Sequence, residues 1–314
     1  MTHRIQLLTP RMAGLLQRIE RARRTPLHAM DAPQARIAYA AAAEILDLPR
    51  TKLQRVEDLV VPAADGTALP ARLYADRGQR PLPALLYLHG GGFVIGSLET
   101  HDSLCRQLAL RSGWAVVALD YRLAPEHRFP TAVEDAWSVL QWLHRDGHQL
   151  GLDSRRLAVG GDSAGGTLAA VCALLARDHS LPLALQLLVT PGTSAYGDTG
   201  SRRLFANGFL LDAATIDWFF EQYIDHAHRG DWRFAPLGRD DLEGAAPACV
   251  VLAECDPLLD EGLAYADRLR AAHVPVTLEL YRGVTHDFIK MGRVLDEAAL
   301  AMQAAADALK EAWS

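Results

Sequence analysis

The sequence predicts an α/β protein with a mostly parallel central sheet and helices on both faces. Short, almost continuous apolar runs recur along the chain, as expected of strands buried on both sides. Segments of helical periodicity alternate with them, the pattern of a sheet covered on two faces. The chain has 314 residues, is 50% hydrophobic and is 22% charged. It can therefore bury a large core without disulfides or metals.

Met12 to Arg24 reads as an amphipathic helix with Leu15, Leu16 and Ile19 on its apolar face. Pro33 to Leu46 reads as a second helix, with Asp31 near its cap and Pro49 as a break. Gln54 to Val61 and Leu69 to Ala75 alternate like strands around an Asp65-Gly66 turn, and suit an antiparallel edge. Apolar strands follow at Ala84 to Leu88, Trp114 to Leu119, Leu157 to Val159, Leu185 to Val189 and Cys249 to Ala253. Val274 to Tyr281 is a further strand, exposed enough to serve as the pairing edge of a homodimer. Helices are expected at Ser103 to Arg111, Ala132 to Arg145, Ala164 to Arg177, Asp260 to Ala272 and Leu295 to Ala312. Ser201 to Phe234 breaks the rhythm. No strand is evident there, yet the segment holds eight of the chain's 22 aromatics. They suit the private core of an inserted helical subdomain, or rings lining an apolar pocket over the sheet.

Composition excludes several classes. A net charge of −6 lacks the basic footprint of a nucleic-acid binder. The four cysteines, Cys105, Cys172, Cys249 and Cys255, form no C-x-x-C pair and suit buried reduced thiols. No run approaches 18 apolar residues, so no membrane span is expected, and Met1 to Arg24 has no apolar signal core. These features make the cytoplasm the expected compartment.

The chemistry centres on Gly161-Asp-Ser-Ala-Gly165, a G-x-S-x-G between an apolar strand and a helix. A serine that must stand clear of the sheet needs a sharp, strained turn. Side chains two positions away would collide there, hence Gly161 and Gly165. A phosphate-loop reading fails because G-x-x-x-x-G-K-[ST] is absent. A trypsin-like reading fails because such proteins are all-β and place their histidine and aspartate before the serine. His89-Gly-Gly-Gly-Phe93 follows the strand Ala84 to Leu88 and offers backbone amides that can closely approach an oxyanion. His89 itself is expected to anchor this loop by a hydrogen bond.

Twelve histidines compete for the role of base. His286 is best placed, after the strand Val274 to Tyr281 and a turn containing Gly283. His3, His28, His144, His148 and His179 read as surface residues. His101, His127 and His273 read as polar-loop or helix-end residues. His226 and His228 lie in the polar end of the aromatic segment, and no metal is expected. Asp256, after the strand Cys249 to Ala253, can orient the base through Nδ1. Asp260 competes for that role, or caps the helix that follows. The order Ser163, Asp256, His286 is that of α/β-hydrolases.

HGGGF, then DYRLAPEHRFP at Asp120 to Pro130, then GDSAGG, Asp256-Pro-Leu and His286-Asp-Phe together resemble the hormone-sensitive-lipase-like carboxylesterases, a bacterial family within the α/β-hydrolase superfamily. The match runs from about residue 55 to the C-terminus and is weakest in the aromatic segment. The resemblance implies Ser163 as nucleophile, His286 as base and Asp256 as its partner. It implies amides of Gly91, Gly92 and Ala164 as the oxyanion hole. It implies short- to medium-chain acyl esters as substrates, with no cofactor. It also implies a helical cap, which divides the chain into N-terminal helices contributing to the cap (1–50), core (51–195), cap insertion (196–235) and core (236–314). Phe93, Phe205, Phe209, Trp218 and Phe219 are candidate pocket residues. Tyr121, Arg122 and Glu126 are expected to brace the loops. Two other readings stay open: a non-catalytic small-molecule receptor on the same fold, and an amidase or peptidase using the same three side chains.

Overall fold

The computed structural model describes residues 7–78 and 81–312, so His3 lies outside the described residues. Helix α1 (Pro10–Arg21) begins at Thr9, whose side chain accepts from the Met12 amide, and buries Met12, Ala13, Leu15 and Leu16. Ile19 was expected on that face but is 37% exposed, because the helix also buries Met12 and its apolar stripe is shifted towards its start. Helix α2 (Ala32–Leu46) is capped by Asp31, which accepts from Gln34 N.

Eight strands follow: β1 (Arg55–Pro62), β2 (Ala68–Ala75), β3 (Leu82–Leu88), β4 (Ala115–Leu119), β5 (Leu152–Asp162), β6 (Leu185–Val189), β7 (Ala248–Cys255) and β8 (Val276–Thr285). They form one sheet in the order β1-β2-β4-β3-β5-β6-β7-β8. β1 and β2 pair antiparallel, as do β2 and β4, and every other neighbour is parallel. β1 is thus the antiparallel edge and β8 the opposite edge, where Leu280 is 42% exposed.

The connecting helices are α3 (Leu98–Ser112), α4 (Thr131–Asp146), α5 (Ala164–Asp178), α6 (Gly200–Leu204), α7 (Ala213–Tyr223), α8 (Leu259–Ala271) and α9 (Asp296–Glu311). Helix α5 is apolar almost all round and buried along nearly its whole length. It packs in the larger core, with α4 and the outward rows of β3 and β5. Helices α1, α3 and α9 fill the core on the other face, with Leu85, Tyr87, Val116 and Val251. Among the described residues no helix is long and apolar enough to cross a membrane.

Three boundaries depart from expectation for physical reasons. α3 begins at Leu98, not Ser103, because Ser97 and Thr100 form a reciprocal capping box and the polar residues of the first turns are buried in use. β5 starts at Leu152, which pairs with Leu82 of β3, and the polar residues 153–156 follow at a register irregularity before Leu157 pairs with Ala84. β8 runs on to Thr285. Gly283, expected in a turn, lies inside the strand at φ +69, where the pairing with β7 shifts register between Ala253 and Cys255. Its amide donates to Glu254 Oε2 (2.8 Å) and its carbonyl accepts from Thr9 N (2.9 Å). The strand therefore delivers His286 directly from its end.

The segment 196–235 contains no strand, as expected: α6, α7 and one 3-10 turn (His226–His228) lie in it. The side chain of α7's Thr215 meets His28 Nδ1 at 3.1 Å, which links the insertion to the N-terminal region.

Candidate active site

At the junction of β5 and α5, Ser163 adopts φ 53, ψ −120, outside the regions open to ordinary residues. The chain turns so tightly that a Cβ at Gly161 or Gly165 would strike the Leu88 carbonyl at the end of β3. The Ser163 amide donates to Val189 O of β6 (2.8 Å), and α5 then begins directly beyond the serine. The hydroxyl is thus raised at the C-terminal edge of the sheet, beside the positive end of a buried helix.

His286, leaving β8, places Nε2 at 2.9 Å from Ser163 Oγ. Its Nδ1 lies 2.7 Å from Asp256 Oδ2, just past β7. The other Asp256 oxygen accepts from Leu258 N at 2.8 Å, which fixes the carboxylate plane. The structure therefore brings together three side chains separated by 93 and 30 residues in sequence. Asp260 does neither of the things expected of it. α8 already starts at Leu259, and Asp260 Oδ2 instead accepts from Ser201 N at 2.8 Å, tying α6 to the acid-bearing loop. Burial disfavours the imidazolium of His286, but the Asp256 carboxylate, with Asp287 and Asp162 adding to it, raises the base above its ordinary pKa.

The glycine loop at 89–93 leaves β3 beside this serine. The amides of Gly91 and Gly92 carry no hydrogen bond to any described residue. A Cβ at Gly92 would enter the Phe219 ring, so Phe219 lies directly on the loop. His89 Nδ1 bonds the Gly90 carbonyl at 2.9 Å, and its ring stacks on Tyr121 with centroids 4.3 Å apart. Burial holds this imidazole down at about 3, so it stays neutral. The Tyr121 hydroxyl donates to His89 O at 2.7 Å. Arg122 grips the fully buried Asp135 of α4 and reaches Asp65 in the β1–β2 turn. Glu126 receives both terminal nitrogens of Arg36, and Arg36 also donates to Val94 O and Ala124 O. Helix α2 is thereby strapped to the loop that follows the glycines.

The aromatic candidates divide by location. Trp218 is half-buried, with its ring 5.2 Å from that of Phe219. Phe93 is 4% exposed and stacks on Tyr223 at 4.0 Å, within the larger core. Phe205 and Phe209 meet edge to face at 4.9 Å in a cluster with Cys255.

Several side chains around the site were not singled out from sequence. Asp162, beside the serine, is fully buried. It accepts from Tyr87 OH at 2.7 Å and faces His101 Nε2 at 3.1 Å. Burial alone would raise its pKa, yet the adjacent His101 holds it well below the carboxylate range. His101 was expected in a polar loop or at a helix end; it lies near the start of α3 but is 1% exposed, beneath Gly90, whose amide approaches Nε2 at 3.3 Å. A carboxylate inside an otherwise apolar strand end was the available signal for Asp162. Lys290 is 4% exposed, bonds Tyr39 OH and lies 3.3 Å from Asp287 Oδ2. Tyr39 OH in turn donates to Asp287 at 3.0 Å, joining α2 to the residue beside the base. His226 and His228 are exposed on a 3-10 turn.

Residues 85–290 match a family model described as alpha/beta hydrolase fold. The chain is 41% identical over 314 residues to ethyl acetate hydrolase of Pseudomonas putida, covering 97% of this chain and 99% of that protein. It is 39% identical to carboxylesterase NlhH of Mycobacterium tuberculosis over 264 residues, 82% of this chain and 83% of that one. Among solved structures, the α/β-hydrolase enzyme LAE6 from the Lake Arreo metagenome superposes with a TM-score of 0.94 at 36% identity, over 98% of both chains. The Pyrobaculum calidifontis esterase does so with a TM-score of 0.90 at 38% identity, over 97% of this chain and 98% of that one. The chain belongs to the hormone-sensitive-lipase-like carboxylesterases of the α/β-hydrolase fold.

Proposed function

We propose that this protein hydrolyses small carboxylic esters of short to medium acyl chain, with Ser163 as nucleophile, His286 as general base and acid, and Asp256 as the group that orients and stabilises His286. The observation that carries the reading is the continuous relay from Ser163 Oγ to His286 Nε2 (2.9 Å) and from Nδ1 to Asp256 (2.7 Å). It is set beside amides at Gly91 and Gly92 that have no partner among the described residues.

His286 takes the Ser163 proton as Oγ attacks the ester carbonyl carbon. The carbonyl oxygen becomes negative, and the amides of Gly91, Gly92 and Ala164 donate to it. His286 returns the proton to the departing alkoxide, and the alcohol leaves. Water then attacks the acyl-serine by the same route, releasing the acid and restoring Ser163. Asp256 accepts from Nδ1 and keeps that proton facing itself, so that Nε2 is free to accept. Residues of α2 and 196–235 form the cap over this site, while α1 packs in the core with α3 and α9. Phe219 and Trp218 give its acyl or alcohol wall, while Phe93 packs in the larger core and Phe205 and Phe209 form a separate cluster with Cys255. The contacts that support the cap assignment are Arg36 to the 120s loop and His28 to Thr215.

Stopped-flow hydrolysis of p-nitrophenyl butyrate tests this. A burst of about one p-nitrophenol per chain is expected from the wild type and none from Ser163→Ala. Equal turnover by Ser163→Ala would overturn the nucleophile assignment. A wild type inert to simple esters but active on a matched anilide would make the chain an amidase.

A further inference from the structure

A cavity of about 500 Å3 lies inside the insertion, between the loop after β6, helix α6 and helix α7. Arg202, Phe220 and Arg229 line it, with Ala195, Ala213 and Tyr196. No residue of the proposed catalytic relay is among its lining.

The two arginines are left in an unusual state. Arg202 is 7% exposed, and its Nε is buried without a hydrogen-bond partner. The nearest carboxylate oxygen, Oε2 of Glu261, is 4.0 Å away, beyond hydrogen-bond reach, and is itself buried without a donor. Glu261 directs its other oxygen to the amides of Thr193 (2.7 Å) and Ser194 (3.1 Å) instead. The Nε of Arg229 is also buried and unpartnered. Both guanidinium groups lie over the same ring, 5.9 and 5.5 Å from the Phe220 centroid. Cation–π contact offsets part of the cost of gathering two cations there, but it satisfies none of their directed N–H groups. The two Nε atoms are sealed from the cavity itself, but both guanidinium groups line it and no side-chain acceptor is bonded to either among the described residues, which leaves room for an acceptor supplied from outside.

We infer that this cavity is a binding site for an organic monocarboxylate, gripped by Arg202 and Arg229 with its apolar body against Phe220 and the two alanines. Guanidinium forks match the planar, two-oxygen acceptor of a carboxylate. The aromatic ring and methyl groups favour a hydrocarbon body over a bare inorganic anion. Asp198 and Asp217 also line the cavity and disfavour a second negative charge. Asp198 is engaged by Arg203, whereas Asp217 adds its charge directly to the wall. The ligand class coincides with the acid that ester hydrolysis releases, but the site does not depend on that reaction and is assayed without turnover.

The test is 19F NMR of 4-fluorobenzoate titrated with the full chain, with neutral 4-fluorobenzamide and inorganic phosphate as comparison probes. Saturable benzoate binding is expected from the wild type. It should weaken about tenfold in Arg229→Gln, the value of one lost charge-assisted contact. Arg202→Lys keeps the charge, loses the fork, and should weaken it to a similar degree. Melting curves of both variants confirm that they are folded. The amide should show no saturable binding, and equimolar phosphate should not displace benzoate. Absence of saturation, or equal affinity in the folded variants, overturns the site. Equal binding of the amide, or displacement by phosphate, overturns the ligand class.

Discussion

His286 is under opposing influences, and their balance sets the pH profile. Burial pushes its pKa down, and the carboxylates of Asp256, Asp287 and Asp162, Asp256 foremost, together push it up and prevail. The neutral ring is the base, so kcat/KM should rise with pH through a pKa above the ordinary imidazole value of about 6.5. Initial rates from pH 5 to 9 check this, and a flat profile with rate-limiting chemistry contradicts it. Asp256→Asn should lower turnover by about 10⁴, because Nδ1 then loses the acceptor that fixes the tautomer. Asp260→Asn should cost far less, since that carboxylate serves the Ser201 amide. The reverse ranking would move the acid. The main site residues were legible because nucleophile, base and acid each follow a recognisable strand end. Asp162, His101 and Lys290 were not, because nothing in a linear pattern distinguishes a buried charge from a solvated one. Lys290 is one of only three lysines, yet only the fold shows that it faces Tyr39 and Asp287.

At the scale of elements, the strap from α2 deserves a mutation of its own. Arg36 holds Glu126 and two carbonyls of the loops beside the site at once. Its geometry is a planar fork, so Lys cannot replace it. Arg36→Lys should raise KM several-fold for p-nitrophenyl butyrate and leave the burst amplitude intact, because the relay itself is untouched. Loss of the burst instead would mean that the strap positions the catalytic groups directly. Elements with an apolar signal were legible nearly to the residue, as in Leu185–Val189. Those that open with polar residues were not. The first turn of α3 reads as loop because Thr100, His101 and Asp102 are polar, although all three are buried in hydrogen bonds. The turn expected at Gly283 is a register shift inside β8, a feature set by pairing with β7 rather than by local sequence.

Across the whole molecule, buried acids make folding depend on pH. Glu261 is 1% exposed and is raised to about 7, chiefly by burial, with the nearby Arg202 only partly compensating. A carboxyl raised in the folded state costs nothing while protonated. Its stability contribution is therefore lost as pH rises from the unfolded value of about 4.3 through the folded one. Glu261→Gln should stabilise the protein at pH 8 relative to wild type by on the order of 2 kcal/mol more than at pH 5. Thermal melts at both pH values check it, and an identical difference at each would contradict the assignment. The sheet order, with its antiparallel edge at β1 and parallel run to β8, places the ends of β3, β5, β7 and β8 along one rim. Every group of the proposed relay stands on that rim, which is why residues so distant in sequence converge. The most direct test of that convergence is to treat the enzyme with a p-nitrophenyl alkylphosphonate and map the adduct by peptide mass spectrometry. One phosphonyl group on Ser163, formed far more slowly in His286→Gln, is the predicted result. An adduct on another side chain, or labelling of Ser163 at the same rate without His286, would contradict the account.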